Sequence, residues 1–134
     1  MTAPYIGQSV KRLEDRRLLT GAGRYIDDVK LPFMRVMAIY RSPHAHARIR
    51  GIDLAAARAL PGVTDAFSAA DIDVELPEIP LRLAPFQGFE RFLQRPIAQD
   101  KVRYVGEPVA VVIAEDRYIA EDALDLIEVD FEPL

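Results

Sequence analysis

The chain has no cysteine. That excludes disulfides, thiolate metal sites, iron–sulfur ligation by its own residues and a cysteine nucleophile. It also lacks a basic excess. Its 17 Lys and Arg stand against 21 Asp and Glu, a net charge of −4, whereas nucleic-acid binders usually carry the opposite balance. No stretch approaches the roughly 18 apolar residues of a membrane span. The opening "MTAPYIGQSVKRLEDRR" has no apolar core of a secretory signal. The expectation is a cytoplasmic protein engaging neither membrane nor nucleic acid. There is no G-x-S-x-G elbow, no P-loop and no complete G-x-G-x-x-G. "GAGRYI" begins like the last of these but lacks its third glycine and a strong strand before it.

The histidines are as few as they can be for a site: His44 and His46, one residue apart in "SPHAHAR". On a strand, i and i+2 share a face, but a zinc site needs at least one further protein ligand and usually two. Without cysteine or a third histidine, Asp or Glu would have to supply them. The simpler expectation is a strand end whose imidazoles hydrogen-bond locally. The adjacent carboxylates Asp27/Asp28 and Glu121/Asp122 fit a turn and a solvated helix face.

What the chain does contain is ordinary core material. Half of its residues are apolar, and a chain of this length buries roughly two-thirds of its unfolded surface. Residues 1–32 read as an extended, polar arm, with the charge-dense "KRLEDRR" followed by a glycine turn at Gly21 and Gly23. From residue 33 the pattern is strand ("FMRVMAIYRS"), strand ("ARIRGID"), helix ("LAAARAL", capped by Asp53) and strand ("VTDAFSA"). Residues 73–100 interrupt it with Pro77, Pro80, Pro85 and Pro96 and with Phe86, Phe89 and Phe92. Long connections of this kind tend to be functional, to contact partners or to be mobile; Phe86, Phe89 and Phe92 read first as one helical face packing on the body, with an apolar patch for a partner as the alternative.

The order then returns. "KVRYV" reads as a strand, and the uninterrupted "VAVVIAE" as a strand buried on both faces. Asp116 opens a helix over "RYIAEDALDLI" whose apolar face is Ala120, Ala123, Leu124 and Ile127, and "EVDFEPL" ends as an edge strand. The expected class is α+β, a mixed β-sheet with two helices packed on it.

Three long stretches, "GQSVKRLEDRRLLTGAGRYIDDV", "RSPHAHARIRGIDLAAARALPGV" and "VRYVGEPVAVVIAEDRYIAEDALDLIEVDFEPL", together resemble the start of a known kind of subunit. It is the large, molybdopterin-binding subunit of the xanthine oxidase and aldehyde oxidase family of molybdenum hydroxylases, in particular of the aerobic carbon monoxide dehydrogenase type. The likeness spans nearly the whole chain and lapses at about residues 73–97. It implies an α/β hammerhead over residues 33–134, with the Pro/Phe-rich segment 73–100 as an insertion. It also implies that Arg41–Ile49 is a signature at a strand end and not a metal site, because the family holds molybdenum through a pterin dithiolene. The family's G-G-x-F-G motif and catalytic glutamate lie downstream of this domain, so no residue here matches a catalytic position.

The expected role is therefore structural: no catalytic, cofactor-binding or metal-binding residue, and no cofactor of its own. The parent enzyme would carry molybdopterin, with iron–sulfur clusters and FAD on sister domains or subunits. Partner contacts are expected through Arg12, Arg16 and Arg17 of the arm and Phe86, Phe89 and Phe92 of the insertion. The partners would be the remaining catalytic part of the large subunit, the iron–sulfur and FAD subunits, or a second copy. The rivals are a stand-alone interaction module, a truncated remnant, or a small enzyme built on His44 and His46.

Overall fold

The computed structural model describes residues 5–80, 88 and 90–134, without the Arg91 side chain. Phe86 and Phe89 lie outside the described residues. The chain forms two compact units, Met1–Met34 and Arg35–Leu134.

In the first unit, α1 (Asp15–Leu19) buries no residue. Its Thr20 hydroxyl donates to the Arg16 carbonyl at 2.8 Å. A single 3-10 turn, Ile26–Asp28, is closed by the Tyr25 N–H donating to the Asp28 carboxylate at 2.9 Å. Of the charge-dense run only Asp15, Arg16 and Arg17 are helical, on one short exposed turn.

The second unit carries the elements β1 (Val36–Arg41), β2 (Ala47–Asp53), α2 (Ala55–Ala59), β3 (Val63–Ser68), β4 (Lys101–Val102), β5 (Pro108–Ala114), α3 (Arg117–Leu124) and β6 (Glu128–Pro133). The α+β class and the order of elements are as the sequence implies. The strands differ from one mixed sheet in two respects: among the described residues they form two three-stranded sheets, β1-β5-β3 and β4-β2-β6, and every pairing is antiparallel. β1 and β2 follow each other in sequence yet enter different sheets. β5 is central in the first sheet, with Ile39 and Phe67 both opposite Val111.

The apolar run of β5 is buried on both faces because each face meets a different partner. Ala110 and Val112 pack with Leu54, Ala57, Ala66, Ala123 and Ile127, under α2 and α3. Val109 packs with Ala47, Ala98 and Val102, toward the second sheet. Val111 packs with Ala69 and Ile97. Ile113, expected in the core, is only half-buried. Tyr40, Ile52 and Val129 touch both of the first two clusters and join the sheets. The alanines matter here: Ala57, Ala66, Ala110 and Ala123 are fully buried, and their small size lets helix and sheet approach closely.

Several local details depart from the sequence pattern. Asp53 accepts the Ala55 N–H at 2.8 Å, but Leu54 occupies the N-cap of α2. Asp116 does cap α3, accepting the Ile119 N–H at 2.9 Å. That helix stops at Leu124, short of Ile127. The Leu126 and Ile127 N–H groups bond back to Ala123 and Leu124 in a tighter turn, which still delivers Ile127 to the core. Leu124 is half-buried rather than core. In "KVRYV" only Lys101 and Val102 pair as strand, for a reason that lies in Glu107, described below. The turn before β3 requires glycine. Gly62 has φ +91°, and a Cβ there would stand 2.6 Å from Ile119 Cδ1.

After β3, Asp71 closes the 3-10 turn Ala69–Asp71 by accepting from the Ser68 N–H and hydroxyl, both at 2.8 Å. Arg58 donates to its other oxygen at 2.7 Å. The Ser68 N–H, and then the Arg58 guanidinium, hold the Asp71 carboxyl at about 2, below its ordinary 3.8. A depressed carboxylate stabilises the fold above its unfolded value and loses that contribution as pH falls through the folded one. Asp71 is about a third exposed, so solvent screening trims the effect to about 1 kcal/mol. Asp71→Asn is expected to lower stability by that amount at pH 7. In urea titrations the gap to the parent should close between about pH 4 and pH 2. A gap unchanged at low pH would show that the carboxylate charge contributes nothing.

Candidate functional site

The histidines lie in the connection between β1 and β2, and that connection is clamped to the turn before β5. Ser42 is buried, and its hydroxyl accepts the His44 N–H and donates to the His44 carbonyl, each at 3.0 Å. The Ser42 N–H donates to the Glu107 carbonyl at 2.9 Å, the Gly106 N–H to the Ser42 carbonyl at 2.8 Å, and Arg41 Nη1 to the Gly106 carbonyl at 2.9 Å. Beneath this clamp is Glu107, a carboxylate with 1% exposure. It accepts the Arg103 N–H, and Arg103 Nη1 lies 3.4 Å from its Oε1. By turning the Arg103 N–H inward, Glu107 ends β4 after two residues.

The expected pair of locally hydrogen-bonded imidazoles is not what forms. The His44 ring packs on Phe131 of β6, centroids 4.9 Å apart and planes at 58°. His46 is exposed, and its backbone carbonyl accepts the Leu134 N–H at 3.0 Å. The local hydrogen bonds run through Ser42 and the backbone instead. The two rings have separate surroundings. Among the described residues no three His, Asp or Glu side chains are grouped so as to hold a metal ion.

His46 instead lines an open cleft of about 500 Å³ with Phe92, Gln94, Lys101, Arg103 and Tyr104. Phe92, on the 3-10 turn Glu90–Phe92, is 62% exposed. The structure thus brings together one histidine and one phenylalanine that sequence reasoning treated separately. It adds Lys101, Arg103 and Tyr104, which that reasoning missed. The missed signal is weak: "KVRY" alternates charge and apolar character like any strand.

In the arm, Arg12 Nε bonds Asp15 Oδ1 at 2.9 Å, an exposed i,i+3 pair. Arg16 and Arg17 are exposed on α1. No described residue of the arm is buried, although it carries large apolar side chains: Leu13 is 100% exposed, Ile26 90% and Phe33 94%. Phe33 also has φ 60°, a left-handed geometry that costs roughly 1–2 kcal/mol for a residue with a side chain. The arm thus exposes large apolar side chains beside Arg12, Arg16 and Arg17.

The protein family described as "Aldehyde oxidase and xanthine dehydrogenase, a/b hammerhead domain" matches residues 20–134. The chain belongs to this family. It is 46% identical, over 96% of its length, to the carbon monoxide dehydrogenase large chain of Afipia carboxidovorans. Quinoline 2-oxidoreductase from Pseudomonas putida 86 superposes with a TM-score of 0.82 at 47% identity, covering 99% of this chain and 17% of that one. A copper- and molybdenum-containing CO dehydrogenase superposes at 0.76 with 41% identity, covering 96% of this chain and 15% of that one. The chain spans 15% of the length of the Afipia protein.

The name of one of these relatives includes molybdenum, and the described residues leave no buried polar side chain unpartnered toward such a group. Among the described residues every buried side-chain polar atom already has a partner within the chain, so none is aimed at an absent ligand.

Proposed function

We propose that this chain is the N-terminal hammerhead domain of a molybdenum hydroxylase large subunit, acting in assembly and carrying no catalytic residue. Residues 1–32 serve as the arm and 33–134 as the hammerhead, with the insertion at 73–100. The parent reaction is an oxidation of the aldehyde, xanthine or carbon monoxide type. It would take place in the cytoplasm, with molybdopterin held elsewhere in the large subunit and iron–sulfur clusters and FAD on sister domains or subunits supplying the path for electrons. Arg12, Arg16, Arg17, Phe86, Phe89 and Phe92 face those partners.

The observation that carries the reading is the arm: residues 5–34 expose Leu13, Ile26 and Phe33 and bury nothing. Ordering a residue costs about 1–2 kcal/mol, and here burial offsets little of it. Such a segment makes physical sense where another surface covers it. The alternative of a stand-alone interaction module draws support from the same apolar surface and differs in the identity of the partner.

Tagged protein recovered from its native host tests this. The expected result is co-purification with chains identified by mass spectrometry as the molybdopterin-, iron–sulfur- and FAD-binding parts of one enzyme. Recovery as a lone monomer, or with unrelated chains only, would overturn it.

A further inference from the structure

We infer that the cleft beside His46 is a docking site for an acidic, apolar protein segment. The inference rests on the assembly reading and adds to it a surface and a partner chemistry. Among the described residues the cleft is lined by the β1–β2 connection (His46), the 3-10 turn ending at Phe92, the approach to β4 (Gln94), β4 itself (Lys101) and the turn after it (Arg103, Tyr104).

Among the described residues the lining has two permanent cations and no carboxylate. The acidic groups next to it are already committed to Arg103: Glu107 from below, and Asp100 at 3.8 Å. Lys101 has no ion pair among the described residues. An incoming carboxylate therefore meets Lys101, whose backbone is fixed by the β4 pairing, beside Arg103, whose guanidinium is anchored by the Lys101 carbonyl at 3.1 Å and by Glu107. Around this basic centre stand apolar rims, Phe92 and Tyr104, with exposed Val105 next in the chain. Aromatic and arginine side chains around a fixed polar centre are the composition of protein interfaces.

The openness of the cleft favours a chain segment over an enclosed small ligand. A nucleic-acid strand is the weaker fit, because the chain's net charge of −4 repels a continuous phosphate backbone. One or two carboxylates flanked by apolar side chains match both the charge and the rims.

The test uses the full chain, labelled with nitrogen-15, and the synthetic peptide acetyl-Leu-Glu-Phe-Asp-Leu-amide. Amide signals of His46, Lys101, Arg103 and Tyr104 should shift together and saturate with a dissociation constant of about 1 mM or tighter. The Gln/Asn version of the peptide, and the Lys101→Glu protein, should each bind about tenfold more weakly, the scale of losing one charge contact. The rest of the Lys101→Glu spectrum should be unchanged. The inference fails if no shifts appear at about 5 mM peptide, or if the Gln/Asn peptide binds equally well. It fails equally if sodium acetate alone reproduces the shifts, which marks a simple anion site, or if oligothymidine binds more tightly. Any of these failures leaves the co-purification result readable, and a lone chain in that experiment leaves the peptide shifts readable.

Discussion

Val112→Asp should abolish folding of the Arg35–Leu134 unit. Val112 is fully buried at the centre of β5, opposite Ala38 and Ala66 and packed among Leu54, Ala57, Ala123 and Ile127. None of these side chains can donate a hydrogen bond. A carboxylate placed there must either stay ionised without a partner, at an effective cost of several kcal/mol, or take up a proton and still lack a donor. The valine's burial, about 1.5–3 kcal/mol, is lost as well. Domains of this kind are stable by only about 5–15 kcal/mol in total. The expected spectrum at neutral pH is that of an unfolded chain, with collapsed amide dispersion. Val112→Ala is the control and should fold, with a smaller loss from the emptied methyl groups. A Val112→Asp protein with native dispersion and a melting temperature close to the parent's would show that β5 is not buried on the helix side.

Glu107→Ala should cost about 2–4 kcal/mol, the next largest effect. The carboxylate is almost wholly buried and accepts the Arg103 N–H. Alanine leaves that donor without its acceptor, empties the side chain's volume, and loosens the turn to which Ser42 is bonded. The Arg103 guanidinium is not stranded, because it is about a third exposed and keeps Asp100 nearby. For that reason the loss stays at the lower end of what breaking a buried ion pair costs. Glu107→Gln keeps an acceptor of the same shape and should lose about 1 kcal/mol, the share of the charge. Urea denaturation of both variants reads the difference. Equal losses would mean that charge, not the acceptor for Arg103, is what matters.

These two positions mark how far the sequence could be read. Val112 was legible because an unbroken apolar run of that length is stable in water only when both of its faces are covered, and because the alanine-rich helices on either side in sequence supply matching faces. Glu107 was not. In "GEP" a glutamate reads as a solvated turn residue, and its acceptor role depends on a backbone N–H four residues earlier. Nothing in the side-chain pattern records where a backbone donor turns. The histidines show the same limit. Their spacing suggested a shared face only if they lay on a strand. Pro43 and the Ser42 hydroxyl hold them in a connection instead, where one packs on Phe131 and the other opens onto the cleft.

By itself the sequence determined the element order, the α+β class, the capped α3 and the doubly buried β5, because each follows from periodicity and propensity over a few neighbouring residues. It also carried, in three long stretches, the likeness that the family match to residues 20–134 bears out. The tertiary structure alone decided that β1 and β2 part into two sheets, that Glu107 sits inside, and that His46, Phe92, Lys101 and Tyr104 meet at one cleft. Those outcomes depend on which distant strands pair and which backbone groups they leave to be satisfied. Such pairings are set by the sum of many weak contacts across the fold, and a local pattern does not contain that sum.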